Sequence, residues 1–463
     1  MNAPEKFFLP DIQATPGRRI AVVGSGIAGL SAAWLLARSH AVTLYEASDT
    51  LGGHSNTVDV TLDGISHPVD TGFLVFNHRT YPNLTAMFGH FGIVTAPADM
   101  SFGVSIGEGQ IEWAGSSLSS VFAQPANLAR PAFWRMLADI VRFNREATRL
   151  AKLGPQDTDD LPLGDFLQRG GYGEAFRDWY LLPMAGAIWS CPTRSMLAYP
   201  VSTFARFCHN HGLLQIADRP QWHTVRGGSR EYVRRLAREI PSIRLGSAVE
   251  SVRAWGGSVS LHTRDAVESV DSAVLACHSD QALALLGDGA SASERRVLGA
   301  LRYQRNRAVL HTDTALLPRR RGVWSAWNYL ADAAGEAGDA PVGVSYLIDK
   351  LQPLPFKRPV IVTLNPPREP AAQKVIAEFD YAHPVFDRAA IAAQQALPAI
   401  QGRRGLWYCG AWTGYGFHED GLKAGLAVAN AFREYAPWQQ PAGATHAQRG
   451  PGSLGLRPVA TAA

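Results

Sequence analysis

Arg19-Ile20-Ala21-Val22-Val23-Gly24-Ser25-Gly26-Ile27-Ala28-Gly29-Leu30 joins a short apolar, β-branched run to three glycines in G-x-G-x-x-G spacing. Residues 20–23 have the pattern of a buried parallel strand. Gly24 suits the tight turn out of that strand, Gly26 lets backbone approach a pyrophosphate, and Gly29 lets the next helix pack on the sheet. The spacing predicts that helix over residues 27–39, so Ile27 and Ala28 bring the first unpaired N–H groups to a phosphate. A second strand over 41–45 ends at Glu46, an acid placed to accept both hydroxyls of a ribose. Strand, glycines, helix, strand and acid in this order specify a dinucleotide site.

Two further blocks extend that site. Leu51-Gly52-Gly53-His54 supplies a second glycine pair for close backbone approach, and Asp70-Thr71-Gly72-Phe73 follows it. At the far end stand Trp407-Tyr408-Cys409-Gly410-Ala411-Trp412 and Gly414-Tyr415-Gly416-Phe417-His418-Glu419-Asp420-Gly421-Leu422-Lys423-Ala424-Gly425. Residues 407–409 read as a strand ending at Gly410, and Gly421 as the start of a helix through residue 429. A helix N-terminus aimed at a ring system stabilises negative charge on it. The chain thus returns, after more than 350 residues, to complete the site that it opens.

Composition narrows the class. The 463 residues allow two or more domains and a large core. Hydrophobic residues make up 46% and charged residues 18%, which describes a globular chain and excludes a disordered one. A net charge of +4 is too small to indicate nucleic-acid binding, and no finger spacing or RNA-stacking motif accompanies it. Cys191, Cys208, Cys277 and Cys409 are widely spaced with no C-x-x-C, so neither a metal site nor a redox pair is expected. No signal peptide and no membrane-spanning run is seen, and the expected location is the cytoplasm, at or near the inner face of the membrane.

With these motifs, the chain resembles the flavin-dependent amine oxidase superfamily of amine oxidases, protoporphyrinogen oxidase and phytoene desaturases. The resemblance rests on G-x-G-x-x-G, Glu46-Ala47 and Gly52-Gly53, and it covers residues 18 to 432. It implies FAD as cofactor. It also implies an α/β (overall α+β) fold: a Rossmann-like FAD domain of discontinuous segments, plus a substrate domain of mixed sheet and helices. The FAD domain is expected over 1–95, 222–291 and 395–436, the substrate domain over 96–221 and 292–394, and a flexible tail over 437–463. Gly24, Gly26, Ile27, Ala28, Gly29, Glu46, Ala47, Gly52, Gly53, Gly72, Phe73 and Gly410 are the expected cofactor contacts. Val249 is expected beside the adenine, and Gly421 and Leu422 at the pyrimidine edge of the flavin. His54 is a further expected cofactor contact, at the place where the family usually has arginine.

Other departures bear on the substrate. Amine oxidases place a lysine near the flavin, and the corresponding stretch, residues 306–313, has none. They also place an aromatic before the last glycine motif, where His418 stands here. The wider pattern is similar to a bacterial subgroup of FAD-binding proteins associated with modifying cyclopropane and unsaturated acyl chains. His418, His383 and His311 are therefore the candidate catalytic groups, since histidine moves a proton at neutral pH. Phe133, Met136, Leu137, Ile140, Phe143, Ala147 and Leu150 recur at helical spacing, opposite Arg135, Arg142, Arg145 and Arg149. That basic amphipathic helix reads either as a core helix with a solvated face or as a contact with an anionic membrane. The expected function is FAD-dependent oxidation of an apolar substrate, a fatty-acyl chain of a membrane lipid, alongside a partner enzyme of lipid modification. The alternatives are a flavin amine oxidase and a non-catalytic flavoprotein that binds lipid or a partner.

Overall fold

The computed structural model describes residues 17–153, 161–189, 193–215, 219–331 and 343–439. Its organising element is a five-stranded parallel sheet. In spatial order its strands are Ser242–Arg244, Ala41–Tyr45, Arg19–Val23, Ser272–Leu275 and Leu406–Tyr408. Val23 lies opposite Tyr45 on one side and Leu275 on the other. The direction of strand addition reverses beside Arg19–Val23. A ligand crevice of a parallel sheet forms at such a point, outside the carboxyl ends of the strands. The glycine loop leaves one of those two strands, and Ala276-Cys277-His278 leaves the other.

The helix Ile27–Leu36 is buried along its whole length. It ends three residues before the expected stop, because residues 37–39 turn tightly to enter Ala41–Tyr45. Gly29 is obligatory at its start: a Cβ there would sit 1.9 Å from the Gly24 carbonyl oxygen. The final helix, His418–Ala431, packs across it.

A second sheet of seven strands carries the other wall. Its order is Val375–Val385, Arg302–His311, Ile361–Leu364, Gly343–Leu347, Trp327–Ala331, Phe102–Ile106 and Ile111–Ala114. Only the pairing of Trp327–Ala331 with Phe102–Ile106 is parallel. Residues 321–323 form a 3₁₀ turn just before the strand Trp327–Ala331. The helix Leu182–Trp189 packs on Trp327–Ala331 and Val375–Val385, and Pro131–Lys152 packs on Val201–Asn210. In Pro131–Lys152 the apolar stripe is core, with Phe133, Met136, Phe143 and Ala147 buried.

Buried polar bonds fix the end of the hairpin strand Ile65–Asp70. Asp70 accepts from Ser229 N–H (2.9 Å) and Ser229 Oγ (2.9 Å), and from Gln352 Nε2 (2.7 Å) on the far sheet's side. A flexible tail is expected over 437–463. Trp438 stacks on Trp34 at 5.9 Å and donates to Asn83 Oδ1 (3.2 Å), so residues 437–439 are anchored, while 440–463 lie outside the described residues.

Candidate active site and cofactor cleft

One cleft of about 760 Å³ runs from the glycine loop to the seven-stranded sheet. At its first end, Glu46 accepts from Ser25 N–H (2.9 Å) and Ser25 Oγ–H (2.6 Å), and its other oxygen accepts from Ser48 N–H (2.9 Å). Ser25 Oγ in turn accepts from Gly52 N–H (3.1 Å). One carboxylate thus binds the first glycine motif to the second. Gly24 has φ +103°, and a Cβ there would lie 2.7 Å from the Ala276 oxygen. A Cβ on Gly26 would meet nothing within 4 Å, so the backbone there faces open cleft. Ile27, Ala28, Ala47, Gly53, Gly72, Phe73, Val249 and Gly410 also line the cleft.

Midway, rings crowd together. His54 stacks on Tyr381 at 5.1 Å and stands 5.4 Å from His383 and 6.2 Å from His278. His278 stacks on Tyr303 at 4.4 Å. Burial, then its histidine neighbours, holds His54 well below the usual imidazole range, and its Nε2 is buried with no partner among the described residues. His383 is fixed from behind. Asn306 Nδ2 donates to His383 Nδ1 (2.9 Å) and to the Gln304 carbonyl (3.0 Å), while Asn306 Oδ1 accepts from Asn365 Nδ2 (2.7 Å). With Nδ1 accepting, the neutral ring carries its proton on Nε2. Burial lowers His383 to about 4, which keeps it neutral at physiological pH.

The far end is apolar. Met100, Ile188, Phe207, Leu213, Trp222, Trp327, Tyr346 and Leu364 line it, with the His211 ring stacked on Phe207 at 4.1 Å. Among the described residues Glu46 is the only carboxylate in the whole lining, and no lysine lines it.

A family profile for flavin-containing amine oxidoreductases matches residues 27–305, more than half of the 463. The chain belongs to that family. A carotenoid phi-ring synthase of Chlorobaculum tepidum is 30% identical over 190 residues, 37% of this chain and 28% of that protein. The chain thus spans less than a third of the length of that curated relative. Among solved structures, a CLA-producing fatty acid isomerase from P. acnes aligns over 89% of this chain and 98% of its own, with TM-score 0.61 and 16% identity. Cyclohexylamine oxidase from Brevibacterium oxydans IH-35A aligns over 90% and 99%, with TM-score 0.65 and 15% identity. These likenesses establish the fold.

As a flavin-containing amine oxidoreductase, the protein is an FAD-dependent oxidoreductase, and the cleft fits that cofactor. The open backbone at Gly26 suits a pyrophosphate, and the Glu46 oxygens retain lone pairs for ribose hydroxyls. The partnerless His54 Nε2 gives the arginine's usual place a neutral polar group in contact with the cleft.

Several sequence expectations need correction. Gly29 does not line the cleft; its contact is with the Gly24 backbone. Gly421 and Leu422 do not line it either. Leu422 is buried in the core, and a Cβ on Gly421 would strike Ile27 Cγ2 at 2.8 Å, so both belong to helix packing. The cause is the helix start, three residues earlier than expected. Asp420 accepts from Tyr415 N–H (3.0 Å) and Phe417 N–H (3.1 Å), which closes the preceding turn. Glu419 reaches away to accept from Asn83 N–H (3.1 Å) and Leu84 N–H (3.0 Å), capping the helix Pro82–Phe91.

The catalytic histidines separate into three cases. His311 lies outside the cleft: it is buried in the seven-stranded sheet, with Nε2 on Thr363 Oγ1 (2.7 Å) and Nδ1 accepting from Asp313 N–H (3.0 Å). His418 lines the cleft, but its Nε2 is committed to Ser55 Oγ (2.8 Å) and Tyr232 OH (2.9 Å), and its ring stacks on Phe73 at 3.7 Å. Burial lowers it to about 3. It props the Phe73 wall from behind. His383 alone is oriented by a polar chain and left with a free-facing N–H. An aromatic does stand one residue before His418. Phe417 lines the cleft and stacks on Phe207 at 5.1 Å. Sequence reasoning missed Tyr303, His278 and Tyr381, because their grouping comes from three separate places: the strand Arg302–His311, the loop after Ser272–Leu275 and the strand Val375–Val385.

Proposed function

We propose that the protein oxidises a fatty-acyl chain of a membrane lipid, acting at the inner face of the membrane beside an enzyme that modifies the same chains. The observation that carries this reading is the apolar end of the cleft, which offers no carboxylate to a cationic substrate. An ammonium group there would be a buried unpaired charge, which is costly, whereas acyl methylenes gain by burial. FAD, when bound, supplies a two-electron acceptor for a hydride leaving a C–H bond. This chain's residues exclude water from that bond and hold it against the cofactor wall. His383 presents a fixed neutral N–H donor, and His418 keeps Phe73 in place. The fold likeness to a CLA-producing fatty acid isomerase and the partial likeness to a carotenoid phi-ring synthase support an apolar substrate.

The aromatic wall of Phe417, Phe207 and Tyr81 favours a second reading, oxidation of a neutral amine held between rings. An anaerobic titration of the yellow protein separates the two. Detergent-dispersed phospholipids with unsaturated or cyclopropane chains should bleach the flavin absorbance, and a panel of primary amines and polyamines should not. Bleaching by an amine alone would overturn the lipid reading.

A further inference from the structure

The helix Pro131–Lys152 buries one stripe and leaves another uncovered. On the outer side, Trp134, Ala138, Val141, Arg145, Arg149 and Lys152 follow one another at spacings of three and four, so they form a single line. Trp134 is 50% exposed and Val141 48%. Just before the helix, Leu118 is 80% exposed and Leu128 54%. Trp134 stands beside both segments: its Nε1 donates to the Leu128 carbonyl (3.0 Å), and its ring lies 5.3 Å from that of Phe122, one turn after Leu118. The line is therefore apolar at its N-terminal end and basic at its C-terminal end.

Charge is concentrated on the same element. The helix holds five basic and two acidic residues, a net +3 of the chain's +4. Arg142 is drawn inward, to Asp139 (2.9 Å) and over the Tyr172 ring (3.9 Å). Arg145 and Arg149 are exposed and make no ion pair among the described residues. No described helix is long and apolar enough to cross a membrane.

We propose that this face docks on an anionic phospholipid bilayer, with Leu118, Leu128 and Trp134 entering the acyl boundary and Arg145 and Arg149 meeting lipid phosphates. Eleven residues separate Trp134 from Arg145, about 16 Å of helix. A tilted helix thus puts its apolar end roughly 5–10 Å deep while its basic end stays among headgroups. Charge complementarity selects this occupant, since the unpaired guanidinium groups match a surface of phosphates. The buried side of the same helix packs on Val201–Asn210, which carries Phe207 into the cleft. The docking face and the apolar end of the cleft are one helix apart. The proposal deepens the acyl-lipid reading and rests on it for its purpose.

Co-sedimentation of the holoprotein with vesicles tests it, using phosphatidylcholine alone and phosphatidylcholine mixed with phosphatidylglycerol. Binding is expected only with phosphatidylglycerol present and should weaken as salt rises. Arg145→Glu with Arg149→Glu, and separately Trp134→Ser, should each lower the partition coefficient about tenfold or more. Trp255→Ser, at an 88% exposed tryptophan on a remote hairpin, should leave it unchanged. Each variant's flavin content, matched to wild type, reports intact folding, and Val141→Ser serves if Trp134→Ser fails that check. Absence of binding to anionic vesicles, or equal binding by the variants, overturns the proposal. So does a dimer that dissociates in Trp134→Ser, which would make the face a contact between copies. Vesicle binding is read without turnover, and flavin bleaching by detergent-dispersed lipid is read without a bilayer, so this proposal and the substrate reading fail separately.

Discussion

Asn306 and His418 each determine what a neighbouring ring can do. Asn306 is fully buried and spends its amide donors on His383 Nδ1 and the Gln304 carbonyl. Asn306→Asp would turn that donor into an acceptor, moving the imidazole proton to Nδ1 and stabilising the imidazolium. A partner carboxylate raises such a pKa by roughly 1–3 units. The wild-type flavin spectrum should then be flat over roughly pH 5 to 8, and the variant's should show a titration in that range. A spectrum equally flat in both would show that His383 does not face the flavin. His418→Ala removes the shared partner of two hydroxyls and the ring behind Phe73. We expect a loss of about 2–4 kcal/mol in stability and weaker retention of FAD, read from the melting temperature and from flavin left after dialysis. Full flavin retention with turnover alone lost would instead return His418 to a catalytic role.

The crossing of Ile27–Leu36 with His418–Ala431 shows how two ends of the sequence become one site. A Cβ on Gly425 would lie 2.2 Å from Ser31 Oγ and 2.3 Å from the Ala28 carbonyl oxygen. Gly425→Ala should force the helices apart, cost about 1–3 kcal/mol and lower the flavin-to-protein absorbance ratio. Gly89, at an exposed position of the helix Pro82–Phe91, has nothing within 4 Å of its Cβ position. The same substitution there should stabilise by about 0.5–1 kcal/mol, and thermal unfolding of the pair checks the opposite signs. The glycine motif was legible in the sequence because its function is local: turn, approach and packing follow from spacing within six residues. The start of the last helix was not legible. It depends on Asp420 closing its own turn and on Glu419 capping a helix more than 330 residues away in sequence. Successive helix residues point about 100° apart, so a start at residue 418 and not 421 decides which side chains reach the cleft: Phe417 and His418 line it, and Gly421 and Leu422 do not. The histidine cluster was half legible. His54 and His383 stood out as residues, but their approach requires the long pairing in which Gln304 faces His383.

Across the whole molecule, acid is the condition that should unfold the apoprotein. Burial lowers His211, His311 and His383 to about 4 and His418 to about 3. The unfolded chain takes up these protons near pH 6.5 and the folded chain does not, so their contribution is full above that pH and is lost as pH falls towards 4. Asp70 and Asp420, raised to about 6 by burial, act the other way, and their protonation favours folding below that value. Four groups against two leave a net loss of roughly 2–3 kcal/mol per pH unit between about 6 and 4. Denaturant midpoints measured at several pH values should fall steeply on the acid side. A midpoint that rises on acidification would show that the two carboxylates dominate.

The strand Leu406–Tyr408 is the outer neighbour of Ser272–Leu275, and the helix after it closes over the glycine loop. A ribosome adding roughly 5–20 residues per second therefore delivers that closing piece some 20–80 s after the glycine loop has emerged. Until then the nascent chain exposes an unpaired sheet edge and an uncovered apolar helix, and it has no complete seat for a nucleotide. FAD therefore cannot template the early folding of this protein; its seat is complete only once the closing strand and helix have been made.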